Sequence, residues 1–266
     1  MAVRKLFSYP GGKWPIRKQV VAAFPKHTTY VDVFGGSATI LLTKDRSQGE
    51  VFNDKNGEIV NFFRVVKHRP AELAEEASHW LHSRKMWRDL LESERPLDEI
   101  ARAFRFWAVL DDSFGARGKH FGTTRKGVHS VTHARAYLAE VSERLKDVHI
   151  ECLDAKECIR VYDSPQTFFY CDPPYPGTKG GDSNYAQLTD DEWKSLRETL
   201  RAIEGKFLLS CNPHPMVLGL FKGCRTAEIS VRETLSVAEK SKMRQEVLIS
   251  NYALPTVTAG RMVCAK

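Results

Sequence analysis

Four consecutive residues, Asp172, Pro173, Pro174 and Tyr175, bring together a carboxylate, backbone carbonyls and an aromatic ring. The prolines lack an N–H and have a fixed φ, so the turn is stiff and its carbonyls are free acceptors aimed in one direction. An acceptor pair beside a ring suits a planar group carrying an NH2, above all a nucleobase flipped out of a duplex. The lone pair of such an amine is delocalised into the ring, which makes methyl transfer to it difficult. Hydrogen bonds from both amino protons to the Asp172 carboxylate and the Pro173 carbonyl localise that lone pair. They also support the positive charge that grows as a methyl group arrives. The same four residues also fit a rigid turn capping a core strand, with Asp172 as an ordinary cap.

The elements that must position this chemistry are legible nearby. Thr167-Phe168-Phe169-Tyr170-Cys171 is apolar and aromatic without helical spacing, so it reads as a buried strand that delivers Asp172 to its C-terminal end. Open α/β sheets place their ligands at that end. Phe7 to Lys13 is a glycine turn ending in a cation, and it lacks the upstream glycine and the following Ser/Thr of a phosphate-binding loop. Tyr30 to Phe34 reads as a strand, Gly35-Gly36 as a turn, and the residues from Ser37 as the start of a helix, the outline of a cofactor-cradling unit. Glu50 to Asp54 is a second strand ending in an acid at roughly the 20-residue spacing that meets ribose hydroxyls in a Rossmann-like sheet. Asp54 or Asn56 also fits the N-cap of a helix through Ile59 to Val66.

Asp-Pro-Pro-Tyr, Pro10-Gly11-Gly12-Lys13 and Asp32-Val33-Phe34-Gly35-Gly36, in this order, resemble the D12 class of DNA adenine N6-methyltransferases, the Dam-like group, over nearly the whole length. The resemblance implies a Rossmann-like α/β methyltransferase sheet, with S-adenosylmethionine as cofactor and double-stranded DNA as partner. By resemblance, Asp172, Pro173, Pro174 and Tyr175 are catalytic. Tyr9, Gly12, Lys13, Asp32, Phe34, Gly35, Gly36 and Asp54, with Asp172, form the cofactor site. Three positions depart from the family pattern: Tyr9 where Trp is frequent, Val33 where Pro is common, and Ser37 where a third Gly is common. N4-cytosine methylation uses the same amine chemistry, although that group more often has Ser at the position of Asp172. C5-cytosine chemistry requires a cysteine nucleophile, typically in a Pro-Cys pair, which this chain lacks. A catalytically silent DNA-binding protein of the same fold is the alternative from another class, and RNA is an alternative substrate.

Between the second strand and Asp147 the character changes. Ala71 to Leu91 and Leu97 to Leu110 have helical spacing with many charges and no strand pattern between them. The glycine-rich loop from Ser113 to Gly127 carries cations and two phenylalanines but no acid. Such a loop tracks phosphates while an aromatic probes or wedges into the base stack, and a solvated surface loop is the plainer alternative. Arg117, Lys119, Arg125 and Lys126 are the candidate nucleic-acid contacts. Arg84, Lys85, Arg88, Arg102 and Arg105 are candidates to extend the basic face. The resulting division is a catalytic domain of residues 1–66 and 147–266 with a mostly helical target-recognition insert at residues 67–146. Further on, residues 177–185 form a glycine-rich lid candidate in which Tyr185 reaches base or cofactor. Thr189 and Glu192 form a capping box, and two final strand patterns close the sheet. Residues 236–242 between those strands are a further candidate DNA contact.

A chain of 266 residues with 42% hydrophobic and 27% charged content suits a soluble α/β protein with an ordinary core. No uncharged apolar run reaches membrane-spanning length, and the N-terminus does not read as a signal peptide, so a cytoplasmic protein without membrane association is expected. A net charge of +7 fits a phosphate-bearing partner. The six cysteines show no C-x-x-C spacing, which argues for reduced thiols and against a metal site. A monomer is the expected state, and a cognate restriction endonuclease is a candidate partner.

Overall fold

The fold is described from a computed structural model covering residues 5–122, 134–176, 187–232, 243–258 and 261–263. Arg125, Lys126, the lid candidate at 177–185 and the segment at 236–242 lie outside the described residues.

Strands β1 (Thr29–Asp32), β2 (Gly49–Asn53), β3 (Val148–Glu151), β4 (Thr167–Cys171), β5 (Lys206–Cys211), β6 (Arg225–Arg232) and β7 (Met243–Ser250) form a seven-stranded sheet in the order β3-β2-β1-β4-β5-β7-β6. The first five in that order run parallel, and β7 pairs antiparallel with both β5 and β6. A small hairpin, β8 (Thr256–Thr258) with β9 (Arg261–Val263), lies outside this sheet. The order reverses direction between β1 and β4, and the crevice at such a switch point is where open α/β sheets bind ligands. Asp32 and Asp172 both emerge there.

The all-buried pattern of β4 follows from this position. Phe168 and Tyr170 point into one core, Phe169 and Cys171 into the other. A central parallel strand covered on both faces has no polar side to alternate with. The first core lies under α1 (Arg17–Ala22), α2 (Thr39–Thr43), α3 (Gly57–His68), α4 (Pro70–Ser78), α5 (Arg84–Glu92), α6 (Glu99–Asp111) and α7 (Ala134–Leu145). The second lies under α8 (Ala155–Tyr162), α9 (Asp190–Ala202) and α10 (Pro215–Leu220). Each fully buried Phe in these layers stabilises the fold by roughly 1.5–3 kcal/mol relative to exposure.

The helical segment between β2 and β3 shares the first core with the sheet. Trp107 of α6 is fully buried and its indole N–H donates to the Leu6 carbonyl at 3.0 Å. A buried ionic cluster fixes α7 at the opposite end from the switch point: Arg144 and Lys44 both pair with Glu50, and Arg144 Nη2 also donates to the Leu41 carbonyl at 2.6 Å. The helical stretch expected from Ala71 to Leu91 divides into α4 and α5. The break holds Trp80, turned inward so that its indole N–H donates to Asp112 at 2.9 Å, and Ser83 then caps α5. The capping box of Thr189 and Glu192 on α9 is formed as its sequence pattern predicts. No helix among the described residues is long and apolar enough to cross a membrane.

Candidate active site

The last residue of β4 hands the chain to the stiff proline turn, and the Asp172 side chain, 20% exposed, stands at its mouth. Its carboxylate is heavily engaged. Lys13 Nζ donates to both oxygens, at 2.6 and 2.7 Å, and to the Gly11 carbonyl at 3.0 Å. Ser210 Oγ from β5 and the Tyr175 hydroxyl each donate to Oδ1 at 3.0 Å. The Tyr170 hydroxyl, 3.0 Å from Ser210 Oγ, donates in turn to the serine, whose own proton is given to Asp172. Lys13 reaches this point because the turn at Gly11 and Gly12, closed by Gly12 N–H to Tyr9 carbonyl at 2.9 Å, folds its side chain under the strand ends.

One member of this network was invisible in the sequence. Glu246 on β7 is fully buried, its Oε1 lies 3.3 Å from Lys13 Nζ, and it shares the single Tyr175 hydroxyl proton with Asp172. In sequence it is a lone acid at the start of an apolar strand, and nothing in its neighbours marks it as part of the site. Only the antiparallel placement of β7 beside β5 turns it toward Asp172. Tyr175 is itself buried, with its hydroxyl drawn into this network and the Lys13 ammonium 4.9 Å from its ring centroid.

The glycine turn after β1 packs tightly on its surroundings. Gly35 N–H donates to the Asn53 carbonyl at 2.7 Å, and a Cβ on Gly35 would fall 2.2 Å from the Phe52 ring. Gly36 adopts a positive φ of 51°, and the Tyr9 ring lies 3.3 Å from where its Cβ would stand. Asp54 closes the turn: one carboxylate oxygen accepts the Gly36 N–H at 2.9 Å, the other the Asn56 N–H at 2.8 Å. Asn56, and not Asp54, caps α3, accepting from Glu58 N–H. The short helix α2 begins later than the pattern suggests, at Thr39, because Ala38 is held left-handed at φ 53°.

Three carboxylates therefore gather at the strand ends, and their electrostatics share a sign. Burial pushes Asp32 well above the usual carboxylate range, with the Asp172 charge adding to the rise. Burial also raises Asp54, against the pull of its two backbone N–H donors. Asp172 is raised by burial, opposed by Lys13 and assisted by Glu246. Such a cleft favours a ligand that brings positive charge, which would relieve all three. Beside it, an apolar cleft is lined by Val33, Phe34, Asn53, Leu153, Ala155 and Leu188. Asn53 stitches its floor together by donating to the Val33 and Leu153 carbonyls at 3.0 and 3.2 Å and accepting the Leu153 N–H at 2.9 Å.

Arg117 and Lys119 lie away from these groups in chain position, on a compact knuckle following α6. Backbone N–H groups of Phe114 and Gly122 donate to the His120 and Asp112 carbonyls, both at 2.7 Å, and Gly118 N–H donates to Ser113 Oγ at 2.9 Å. Gly115, Ala116 and Gly118 all take positive φ to make the bend. Arg117, Lys119 and His120 are exposed, and Phe114 projects with 59% of its surface open to solvent. Arg84 stacks on Phe121 at 5.0 Å from the ring centroid. Two of the arginines expected to extend a basic face are spent inside the protein. Arg102 pairs with Glu58 at 2.9 Å, and Arg105 donates to the Leu90, Leu91 and Ser93 carbonyls at the C-terminal end of α5. Helix termini and neighbouring acids consume these cations, which periodicity alone does not reveal. Buried Cys171, whose thiol burial pushes up, is a core residue as its sequence position suggests.

Comparison with known proteins bears on this arrangement. A family model described as D12 class N6 adenine-specific DNA methyltransferase matches residues 9–237. The chain is 23% identical over 278 residues to a type II methyltransferase, M1.LlaDCHI, of Lactococcus lactis subsp. cremoris, covering 94% of this chain and 96% of the relative. It is also 23% identical over 254 residues to a DNA adenine methylase of Vibrio cholerae serotype O1, covering 88% of this chain and 90% of the relative.

Proposed function

The chain belongs to the D12 class N6 adenine-specific DNA methyltransferase family, and from that premise we propose the parts that its residues play. The enzyme transfers a methyl group to the N6 amino group of adenine at specific sites in DNA. The observation that carries the finer reading is the gathering of Asp32, Asp54 and Asp172 at the C-terminal ends of the central strands, by the switch point of the sheet.

S-adenosylmethionine fits this cleft by charge, since it brings a sulfonium and an ammonium to a carboxylate-rich space, and when bound it supplies an electrophilic methyl group. Tyr9, Gly12, Lys13, Asp32, Phe34, Gly35, Gly36 and Asp54 would hold it. Gly36 allows close backbone approach, Tyr9 walls the turn, and Asp32 and Asp54 offset positive charge.

At the target, the Asp172 carboxylate and the Pro173 carbonyl take the two protons of the adenine amine. The stiffness of Pro173-Pro174 keeps both acceptors aimed without reorganisation, so their effect is largest as positive charge develops on nitrogen. Tyr175 anchors the turn through its hydroxyl. Withdrawal of the adenine from the duplex into this crevice supplies access to its amine. Residues 1–66 and 147–266 act as the catalytic part and residues 67–146 as the target-recognition part. In the latter, Arg117 and Lys119, together with Arg125 and Lys126, meet the phosphates, and Phe114 meets the base stack.

Transfer of labelled methyl from S-adenosylmethionine to unmethylated duplex DNA, followed by nucleoside analysis, tests this reading. Label in N6-methyladenine is the expected result. Label in N4-methylcytosine would overturn the base assignment, and absence of label with every duplex tried would overturn the donor or the substrate.

A further inference from the structure

Both oxygens of Asp172 are bound by Lys13 in this structure, and Oδ1 also accepts from Ser210 and competes with Glu246 for the single Tyr175 hydroxyl proton. Oδ2 keeps a lone pair for an adenine amine, but it accepts most strongly once the Lys13 ammonium that bridges both oxygens shifts away. Ser210 is fixed on β5 and held from behind by Tyr170. Lys13 is the donor with somewhere to go: its Nζ already lies 3.3 Å from Glu246 and 3.0 Å from the Gly11 carbonyl. A displacement well under 1 Å would complete the Glu246 bond within ordinary hydrogen-bond distance.

From this juxtaposition, and resting on the reading of Asp172 as the acceptor of the amine, we infer that Glu246 is a positioning residue that takes over Lys13 as adenine enters. The Tyr175 hydroxyl follows the same logic. It has one proton and two carboxylates within reach, so Glu246 offers that proton an acceptor other than Asp172. A fully buried carboxylate is costly unless paired, and these two donors are its partners here. Glu246 thereby keeps the cation and the phenol near the reacting centre while leaving Asp172 an oxygen for the base.

The test is Glu246→Gln in the labelled-transfer assay, with Lys13→Met and the double variant Lys13→Met/Glu246→Gln alongside. Glutamine still accepts the Tyr175 hydroxyl but cannot counter the Lys13 charge. Lys13 then stays clamped on Asp172, and the expected loss is about 30-fold or more in kcat, the size of losing one charged hydrogen-bond partner. The KM for DNA and for S-adenosylmethionine should stay within about threefold, because uniform binding is untouched. Glu246→Gln should lower kcat little further in the Lys13→Met background, where there is no ammonium to hand over. Removing the neighbouring negative charge should also move the acid limb of the pH profile down, because Glu246 helps to raise Asp172.

A kcat within threefold of wild type, or losses that multiply in the double variant, would overturn the inference. Should Glu246→Gln fail to fold, Glu246→Asp decides. Its carboxylate is retracted from Lys13, so a lowered kcat with unchanged donor binding is expected, and unchanged kcat refutes. Failure of the underlying reading is separable: an active Asp172→Ala enzyme would remove the site itself, whereas an inactive Asp172→Ala beside a fully active Glu246→Gln removes only the part given to Glu246.

Discussion

Asp172→Ala should abolish transfer and leave the protein folded, and the structure sets the size of both effects. The carboxylate has three donors, and each retains a partner when it is removed. Lys13 keeps Glu246 and the Gly11 carbonyl and Tyr175 keeps Glu246, while Ser210 keeps the Tyr170 hydroxyl as donor but its own proton loses its acceptor. The substitution also replaces two carboxylates around one ammonium by a single Lys13–Glu246 pair. No charge is left buried alone, so the stability cost should be about 1–3 kcal/mol, the range for one altered buried polar group. For a chain of this size that corresponds to a fall in Tm of roughly 2–10 °C.

Activity responds differently. Removing one preorganised electrostatic partner from a transition state costs about 3–4 kcal/mol, or 10²–10³ in kcat. Asp172 contributes both an acceptor and a charge, so a loss of at least about 10³ is expected. Labelled-methyl transfer measures the first effect; scanning fluorimetry and donor binding measure the second. Activity within tenfold of wild type would refute the role of the carboxylate. Insoluble protein would instead favour a structural cap at the end of β4.

Asp32→Asn should raise the Tm of the ligand-free protein by about 2 °C or more while weakening donor binding, because a buried carboxylate repelled by Asp172 is replaced by a neutral group. A carboxyl raised in the folded state loses stability as pH climbs from its unfolded value through its folded one. The Tm advantage of Asp32→Asn should therefore grow with rising pH above the ordinary carboxylate range, and an advantage that shrinks refutes the assignment. Gly35→Ala places a Cβ 2.2 Å from the Phe52 ring and should cost about 1–3 kcal/mol or more by denaturant unfolding; a neutral result would mean that the turn can open. Replacing Arg117 and Lys119 together with Ala should flatten the salt dependence of DNA binding by about 0.9 per lost phosphate contact, so an unaltered slope removes the knuckle from the interface.

Much of the site could be read because its chemistry is local. Asp172 to Tyr175 follow a strand whose apolar composition marks it as buried, and the glycine turns and Asp54 sit at strand ends whose order the pattern shows. The helical segment was legible as helices, but not its break at Trp80, since an indole seeking Asp112 is a tertiary bond that periodicity does not encode. Arg102 and Arg105 looked like members of a basic face for the same reason: a cation's partner lies on another element.

Taken alone, the order of residues along the chain determined the strands, the glycine turns, the acceptor turn and hence the class of chemistry, because each depends on backbone propensity and on neighbours a few positions away. The tertiary structure decided which charges meet. Lys13 and Asp172 are 159 residues apart in sequence, and Tyr175 and Glu246 are 71 apart. Coulomb and hydrogen-bond energies depend on distance in space, and only the parallel placement of β4 beside β1 and β5, closed by antiparallel β7, brings those groups within bonding distance.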